Sequence, residues 1–389
     1  MPTPISQRML GVQTPMIPLV GEWIRRHPGT IPLAQGVVHY GPPACVNEAA
    51  ASALTSDPRV HRYGLALGID PLLNAIRTKL LAENGIACGP GRCVAVTAGS
   101  NMGFLNAILA IADPGDEVIL LSPFYFNHEM AIDIAGCRAV LVPTDGNYQP
   151  DLPAIRSAIT SRTRAIVTIS PNNPSGAVYP AASLTAVSSL CRERGLYHIS
   201  DEAYEYFTYG GIRHFSAASL PDTIAHAISL YSLSKAYGMA GWRIGYMVMP
   251  AHLEESVKKI QDTNLICPPV LNQLAATAAF TAGPAWCRGQ IQPFASIRDM
   301  VLHELSALGD RIEIPTPGGA FYALVRVRTE QTDIDLVETL IGRFGVAAMP
   351  GCTFGVKTGC SLRIAYGALD GQTVAEGMGR LVRGLRELL

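Results

Sequence analysis

Lys235 stands in the segment LSKAYGMAGWRIGY (233–246), directly after the apolar run AHAISLYS (225–232), with Ser232 and Ser234 beside it. A lysine held partly out of water has a lowered pKa and attacks carbonyls as an amine nucleophile. The commoner fate of a lysine is to reach solvent. Glycines 238, 241 and 245 in the same segment let the backbone pass close to a neighbour. Asp201 and Tyr204 follow the run GLYHIS (195–200). There a carboxylate could bind a cationic ring nitrogen, cap a helix or stay solvated. PNNPSG (171–176) follows RAIVTIS (164–170) and fixes two amides in a tight turn. Gly99, Ser100 and Asn101 follow CVAVT (93–97) and lead into a helix. Free backbone N–H groups at such a turn suit a phosphate, although Ser100 also reads as an ordinary helix cap. Arg363 lies inside SLRIAY (361–366). A guanidinium on an apolar strand is costly unless paired, and a bidentate carboxylate is its natural partner. A substrate or a structural salt bridge would supply one equally well.

Together these positions offer a lysine, a carboxylate, a phenol, an amide, a phosphate turn and an arginine, nearly all at the ends of apolar runs. That set matches pyridoxal phosphate, which needs a lysine for its aldehyde, an acid for its ring nitrogen and donors for its phosphate and phenolic oxygen. No metal site is assigned. A nicotinamide dehydrogenase would want a Gly-x-Gly-x-x-Gly turn after an early strand, and none is present.

Residues 232–245 resemble the lysine signature of class I/II aminotransferases, S-x-S-K-x-x-x-x-x-G-x-R-x-G, in spacing as well as residue type. YGLALGIDPLLNAI (63–76), PNNPSG, DEAY (201–204), PGCTFG (350–355) and LRIAY occur in that family's order across essentially the whole chain. The resemblance implies the fold type I architecture: a mostly parallel seven-stranded sheet in a large α/β domain, a smaller α/β domain, and a homodimer with sites at the subunit interface. It implies that Lys235 binds the cofactor aldehyde and that Asp201 pairs with the ring nitrogen. Asn173 and Tyr204 would bond the phenolic oxygen, and Tyr125, in SPFYFNH (122–128), would stack on the ring. Gly99, Ser100, Asn101, Ser232 and Arg243 would hold the phosphate, and Tyr63 would reach the phosphate of the neighbouring subunit. Arg363, with Asn173, would clamp the substrate α-carboxylate, and Gly36 would let the arm close over the substrate. The loop LICPPV (265–270) departs from the pattern, lacking the Ser or Thr that some relatives use for the neighbouring phosphate.

The implied activity is transfer of an amino group between an L-amino acid and a 2-oxo acid by a ping-pong route. The arm LAQGVVHYGPP (33–43) and KKIQDTNLICPPV (258–270) are similar to the subgroup acting on aromatic amino acids and methionine, with His39 and Tyr40 where arm residues meet the substrate side chain. Plain packing of the arm explains the same two residues. No second arginine is assignable to a distal carboxylate. Lyases, cyclases, decarboxylases and oxidases on the same scaffold are the alternative, since these residues serve steps common to all of them.

Positioning such a set falls to alternating elements. Short apolar runs at 93–97, 117–121, 138–142, 164–170, 195–200, 225–232 and 244–250 alternate with helical segments. This pattern indicates a mainly parallel sheet covered on both faces. After residue 250 come helices at 251–263, 270–281 and 284–307, strands at 320–327, 345–349 and 361–366, and a last helix at 373–388. We expect a large domain over 44–282. The irregular arm (1–43) and residues 283–389 form the smaller one, with the change near TAGPAW (281–286).

Of the 389 residues 48% are hydrophobic and only 16% charged, which excludes disorder, and the net charge of −1 offers no basic excess for nucleic acid or a membrane surface. The nine cysteines include no Cys-x-x-Cys pair, as expected of reduced thiols in a cytoplasmic protein. The N-terminal residues have no signal-peptide pattern, and no apolar run is long enough to span a membrane.

Overall fold

The computed structural model describes residues 5–389, so residues 1–4 of the expected arm lie outside it. Seven strands form one sheet in the order Arg92–Thr97, Gly245–Pro250, Ala227–Ser232, Tyr197–Asp201, Thr163–Ile169, Glu117–Ser122, Arg138–Pro143. Gly245–Pro250 runs antiparallel to both its neighbours, and the remaining pairs are parallel. Helices Ser100–Ile111, Phe126–Ile134, Leu152–Ala158 and Ala181–Arg194 make the crossovers. Because helices cover both faces, the inner strands are apolar along their whole length. Gly245–Pro250 is buried at every residue, whereas the edge strand Arg138–Pro143 is largely half-exposed. Thr97, Ser122, Ile169, Asp201 and Ser232 therefore end at one edge of the sheet, where Gly245 of the antiparallel strand also begins.

A second, antiparallel sheet has the order Met349–Pro350, Cys360–Ala365, Tyr322–Val327, Ile312–Glu313. Helices Asp333–Phe344 and Gly371–Leu388 pack beside it, the latter started by Asp370, whose carboxylate accepts the N–H groups of Gln372 and Thr373. The arm joins this part of the chain: Ile31–Pro32 pairs in parallel with Val346–Ala347, and Ala365 donates its N–H to Leu33 at 2.8 Å.

Three local expectations are corrected. The arm is not irregular, for Gln7–Gly11 and Met16–Arg26 are helical. Pro18 hid the second helix from the reading. It sits in the first turn, where its missing N–H has no intrahelical partner to lose. Val20, Trp23 and Ile24 keep helical spacing toward the core. TAGPAW breaks the helical run as expected, at Gly283 (φ 70°, ψ 178°), but the expected helix over 284–307 is itself interrupted after Ile291, and a new helix, Pro293–Ser306, begins there. The run 345–349 is split into two short strands of different sheets.

Gly245 shows how tightly the site edge is built. A Cβ there would lie 2.6 Å from the Tyr231 carbonyl oxygen and 2.8 Å from the Ser100 nitrogen, and backbone cannot yield as a side chain can. Gly241, four residues earlier, would meet nothing within 4 Å. Gly245→Ala should therefore lower the apparent melting temperature and soluble yield sharply, while Gly241→Ala should leave both nearly unchanged. Equal behaviour of the two in a thermal melt would contradict the packing argument.

Candidate active site

Loops leaving the sheet edge, the arm and the second sheet enclose a cavity of about 320 Å³. Gly36, Ser100, Asn101, Tyr125, Asn173, Asp201, Tyr204, Ser232, Lys235, Arg243 and Arg363 all line it, as the sequence led us to expect. Ile17, Gln35, Val37, Phe126, Ile169, Ala203, Ser234 and Tyr322 complete the wall.

One end is made for an anion. Helix Ser100–Ile111 begins after Gly99, whose φ of 80° favours glycine, and no side chain caps its first turn. Ser100 is thus not the helix cap, and the free N–H groups and positive dipole end lie at the cavity wall. Arg243 donates to the carbonyls of Ala240 (3.0 Å) and Ala98 (3.2 Å) and approaches Ser234 Oγ at 3.5 Å. A Cβ on Gly99 would collide with its guanidinium. Among the described residues, no carboxylate lies within salt-bridge distance of Arg243 or Arg363.

Asp201, the last residue of its strand, is buried. Its Oδ1 accepts the Ala203 N–H at 3.1 Å, and its Oδ2 lies 3.1 Å from Nε2 of His128, itself stacked on Phe104 at 3.9 Å between ring centroids. The sequence reading missed His128; its only signal was a histidine in the first turn of the helix Phe126–Ile134, among other polar residues. Tyr125 receives hydrogen bonds from Asn127 (2.9 Å) and Asn101 (3.4 Å). Tyr204 shares a 2.7 Å hydrogen bond with Tyr322, a second residue the reading missed, three positions after a Gly-Gly pair at a strand start.

Lys235 Nζ donates to the Gly36 carbonyl and lies 5.9 Å from the Tyr204 ring centroid. Burial lowers its pKa to about 8, helped by Arg363 and Arg243 and opposed by Asp201. Arg363 is buried between the rings of Tyr322 and Phe354, each 4.7 Å from Cζ. It donates to Asn173 Oδ1 at 3.1 Å and to the Ala34 carbonyl at 2.5 Å, while its Nε finds no partner. Burial pulls its pKa down as well. A structural salt bridge, left open by the sequence, does not occupy this arginine among the described residues.

Besides Gly99, which adjoins Ser100 in the chain but is not on the wall, three expected residues lie elsewhere. His39 and Tyr40 are not on the cavity wall. His39 packs against Phe294 and lies 3.4 Å from the Gly367 carbonyl, and the Tyr40 hydroxyl donates to the carbonyls of Lys235 (3.1 Å) and Ala236 (3.3 Å). The plain packing reading describes them: both sit behind the lysine loop, because the arm turns its Gly36 backbone and Val37 inward instead. Tyr63 is 81% exposed and borders a different hollow, with Cys267 and Val270.

The family model for aminotransferase class I and II matches residues 28–381. The chain is 31% identical to an aromatic aminotransferase of Arabidopsis thaliana, across 99% of this chain and 97% of that protein. It is 35% identical to an aspartate/prephenate aminotransferase of Thermus thermophilus, across 83% of each. A solved single mutant of Thermus thermophilus aspartate aminotransferase superposes with a TM-score of 0.91 at 31% identity, covering 98% of this chain and 100% of that one.

The depressed pKa of Lys235 sets a direct test. With a pKa lowered to about 8, the amine is half unprotonated at that pH, where an ordinary lysine is almost fully charged. Reductive methylation of the apoprotein, followed by peptide mass spectrometry, should show Lys235 reacting with a midpoint near pH 8. A midpoint above 10 would show that burial and the two guanidinium groups do not act on it.

Proposed function

The chain belongs to the class I and II aminotransferases, and on that footing we propose that it uses pyridoxal 5′-phosphate to move amino groups between L-amino acids with uncharged, aromatic or methionine-like side chains and 2-oxo acids. The observation that carries this reading is the pairing across one cavity of Lys235, an amine with a lowered pKa, and Arg363, a buried guanidinium without a carboxylate.

The donor set fits the cofactor. The uncapped turn at Gly99, Ser100 and Asn101, with Ser232 and Arg243, is a phosphate cradle whose arginine lacks a carboxylate partner. When bound, the cofactor supplies an aldehyde for amine exchange and a ring that takes up the electrons of the substrate's α-carbon. Lys235 holds the aldehyde at rest and then moves the proton at the substrate α-carbon, a role suited to an amine titrating at about 8. Asp201 keeps the ring nitrogen protonated, and His128 backs the carboxylate at 3.1 Å. Tyr125 stacks on the ring; Asn173 and Tyr204 hydrogen-bond its phenolic oxygen. Arg363, oriented by Asn173 and the Ala34 carbonyl, takes the α-carboxylate in its planar fork. Gly36 brings the arm backbone over the site.

The substrate side chain follows from what remains. The cavity's cations are Lys235, Arg243 and Arg363, and each already has a task. Ile17, Val37 and Phe126 offer a side chain apolar contact and no counter-charge for a distal carboxylate. The Arabidopsis relative, named an aromatic aminotransferase, agrees with this choice; the Thermus relative, named for aspartate and prephenate, shows that kinship alone does not make it. We further propose a homodimer in the cytoplasm. Exposed Tyr63, beyond the wall of its own cavity, would serve the neighbouring copy. All nine cysteines are free, and no helix among the described residues is long and apolar enough to cross a membrane.

Borohydride should fix the cofactor to Lys235, and single half-reactions should run faster with phenylalanine or methionine than with aspartate. An adduct mapped to another lysine, or release of ammonia or thiol in place of stoichiometric 2-oxo acid, would overturn the reading. Arg363→Lys should raise the Michaelis constant for amino and oxo acids alike and lower kcat/KM about ten- to hundredfold, the loss expected for one charged hydrogen-bonding partner. Amines lacking a carboxylate should be poor substrates that the change hardly affects. Equal damage to both substrate types would make the arginine structural.

A further inference from the structure

We propose that the Tyr322 hydroxyl is a positioning donor, filling the acceptor side of the Tyr204 hydroxyl so that the hydrogen of Tyr204 is left to point into the cavity. The inference rests on the reading of Tyr204 as a donor to the cofactor's phenolic oxygen. The two hydroxyl oxygens are 2.7 Å apart, both side chains are buried, and among the described residues neither hydroxyl has another protein partner. Two hydroxyls carry two hydrogens, and the bond between them uses one. The other is free for whatever occupies the cavity, and only one direction of the shared bond gives it to Tyr204.

Two neighbours choose that direction. The ring of Tyr322 lies 4.7 Å from the Arg363 guanidinium carbon, and a permanent cation beside a phenol polarises its O–H and makes it the better donor. Gly36 closes the other side: a Cβ there would lie 2.6 Å from the Tyr322 hydroxyl, so the arm backbone leaves that hydroxyl little room to turn from Tyr204. A hydroxyl that accepts a hydrogen bond donates a stronger one. Tyr322 also stands on the strand paired with that of Arg363, in the register Leu324 opposite Arg363. The carboxylate clamp and the donor behind Tyr204 thus belong to one sheet, and Tyr204 to a turn that leaves the other.

The test is an absorbance titration of the lysine-bound cofactor in the holoenzyme. A donor at the phenolic oxygen favours the form in which the linking nitrogen is unprotonated, so weakening that donor raises the midpoint. Tyr322→Phe keeps the ring against Arg363 and removes only the hydroxyl. It should raise the midpoint by about half a pH unit, as for one neutral hydrogen bond, and lower kcat about three- to tenfold with little change in the Michaelis constant. Tyr204→Phe should raise the midpoint further, and Tyr204→Phe/Tyr322→Phe should match Tyr204→Phe alone. A midpoint unmoved by Tyr322→Phe but moved by Tyr204→Phe, or two shifts that add in the double variant, would reduce Tyr322 to packing. A midpoint unmoved by Tyr204→Phe would overturn the reading of Tyr204 itself and this inference with it. Should Tyr322→Phe not accumulate as folded protein, Gly36→Ala, which crowds the same hydroxyl, must raise the midpoint; an unchanged value overturns the proposal.

Discussion

Three cations, Lys235, Arg243 and Arg363, share one cavity wall with a single carboxylate, Asp201. Arg363 is buried, Lys235 half-buried and Arg243 exposed, so the several kcal/mol that uncompensated buried charge costs falls chiefly on the first two. The protein limits the cost in two ways. It lowers the proton affinity of the lysine, and it spreads each guanidinium over carbonyls, amides and aromatic faces. What stays uncompensated is a demand for two anions at two places. On the reading proposed above, a cofactor phosphate would answer it at the uncapped helix and a substrate carboxylate at Arg363.

Such a site needs a rigid frame. Six parallel strands end at one sheet edge, and the single antiparallel strand returns through it with Arg243 just before its start. Gly245 brings three backbone segments within van der Waals contact there, which sets the phosphate turn against the loop carrying Lys235. Buried apolar clusters on both faces of the sheet hold that edge in place against the cost of the charges. The second sheet brings Arg363 and Tyr322 from across the cleft, and the arm, tied to it by the Ala365 N–H donated to the Leu33 carbonyl, brings Gly36.

Recognition divides by polarity. On the reading proposed above, the charged and hydroxyl groups would meet the parts that any amino acid and the cofactor share, and the apolar residues Ile17, Val37 and Phe126 the part that differs between substrates. Two of these come from the arm, whose helix and turn are held by the second sheet rather than by the cavity floor. Substrate choice can thus vary with the arm while the chemistry on the floor stays as it is.

The sequence by itself determined the alternation of strands and helices, the seven apolar runs, and the turns that carry Gly99, Asn173, Asp201 and Lys235. Each is a local pattern: an apolar run long enough to cross a covered sheet, followed by a polar turn at its end. Parallel connection then puts all such turns on one edge, so their convergence was legible without coordinates. Tertiary structure decided what depends on contacts between distant segments. His128 meets Asp201 only because the helix after one strand packs beside the end of another. Tyr322 meets Tyr204, 118 residues away, only because the second sheet closes over the first. His39 and Tyr40 carried the right chemistry but point behind the lysine loop, since the pairing of Ile31–Pro32 with Val346–Ala347 fixes which face of the arm turns inward. Spacing along a chain sets the face of a helix or strand, but an arm with no such repeat takes its orientation from whatever it is paired with.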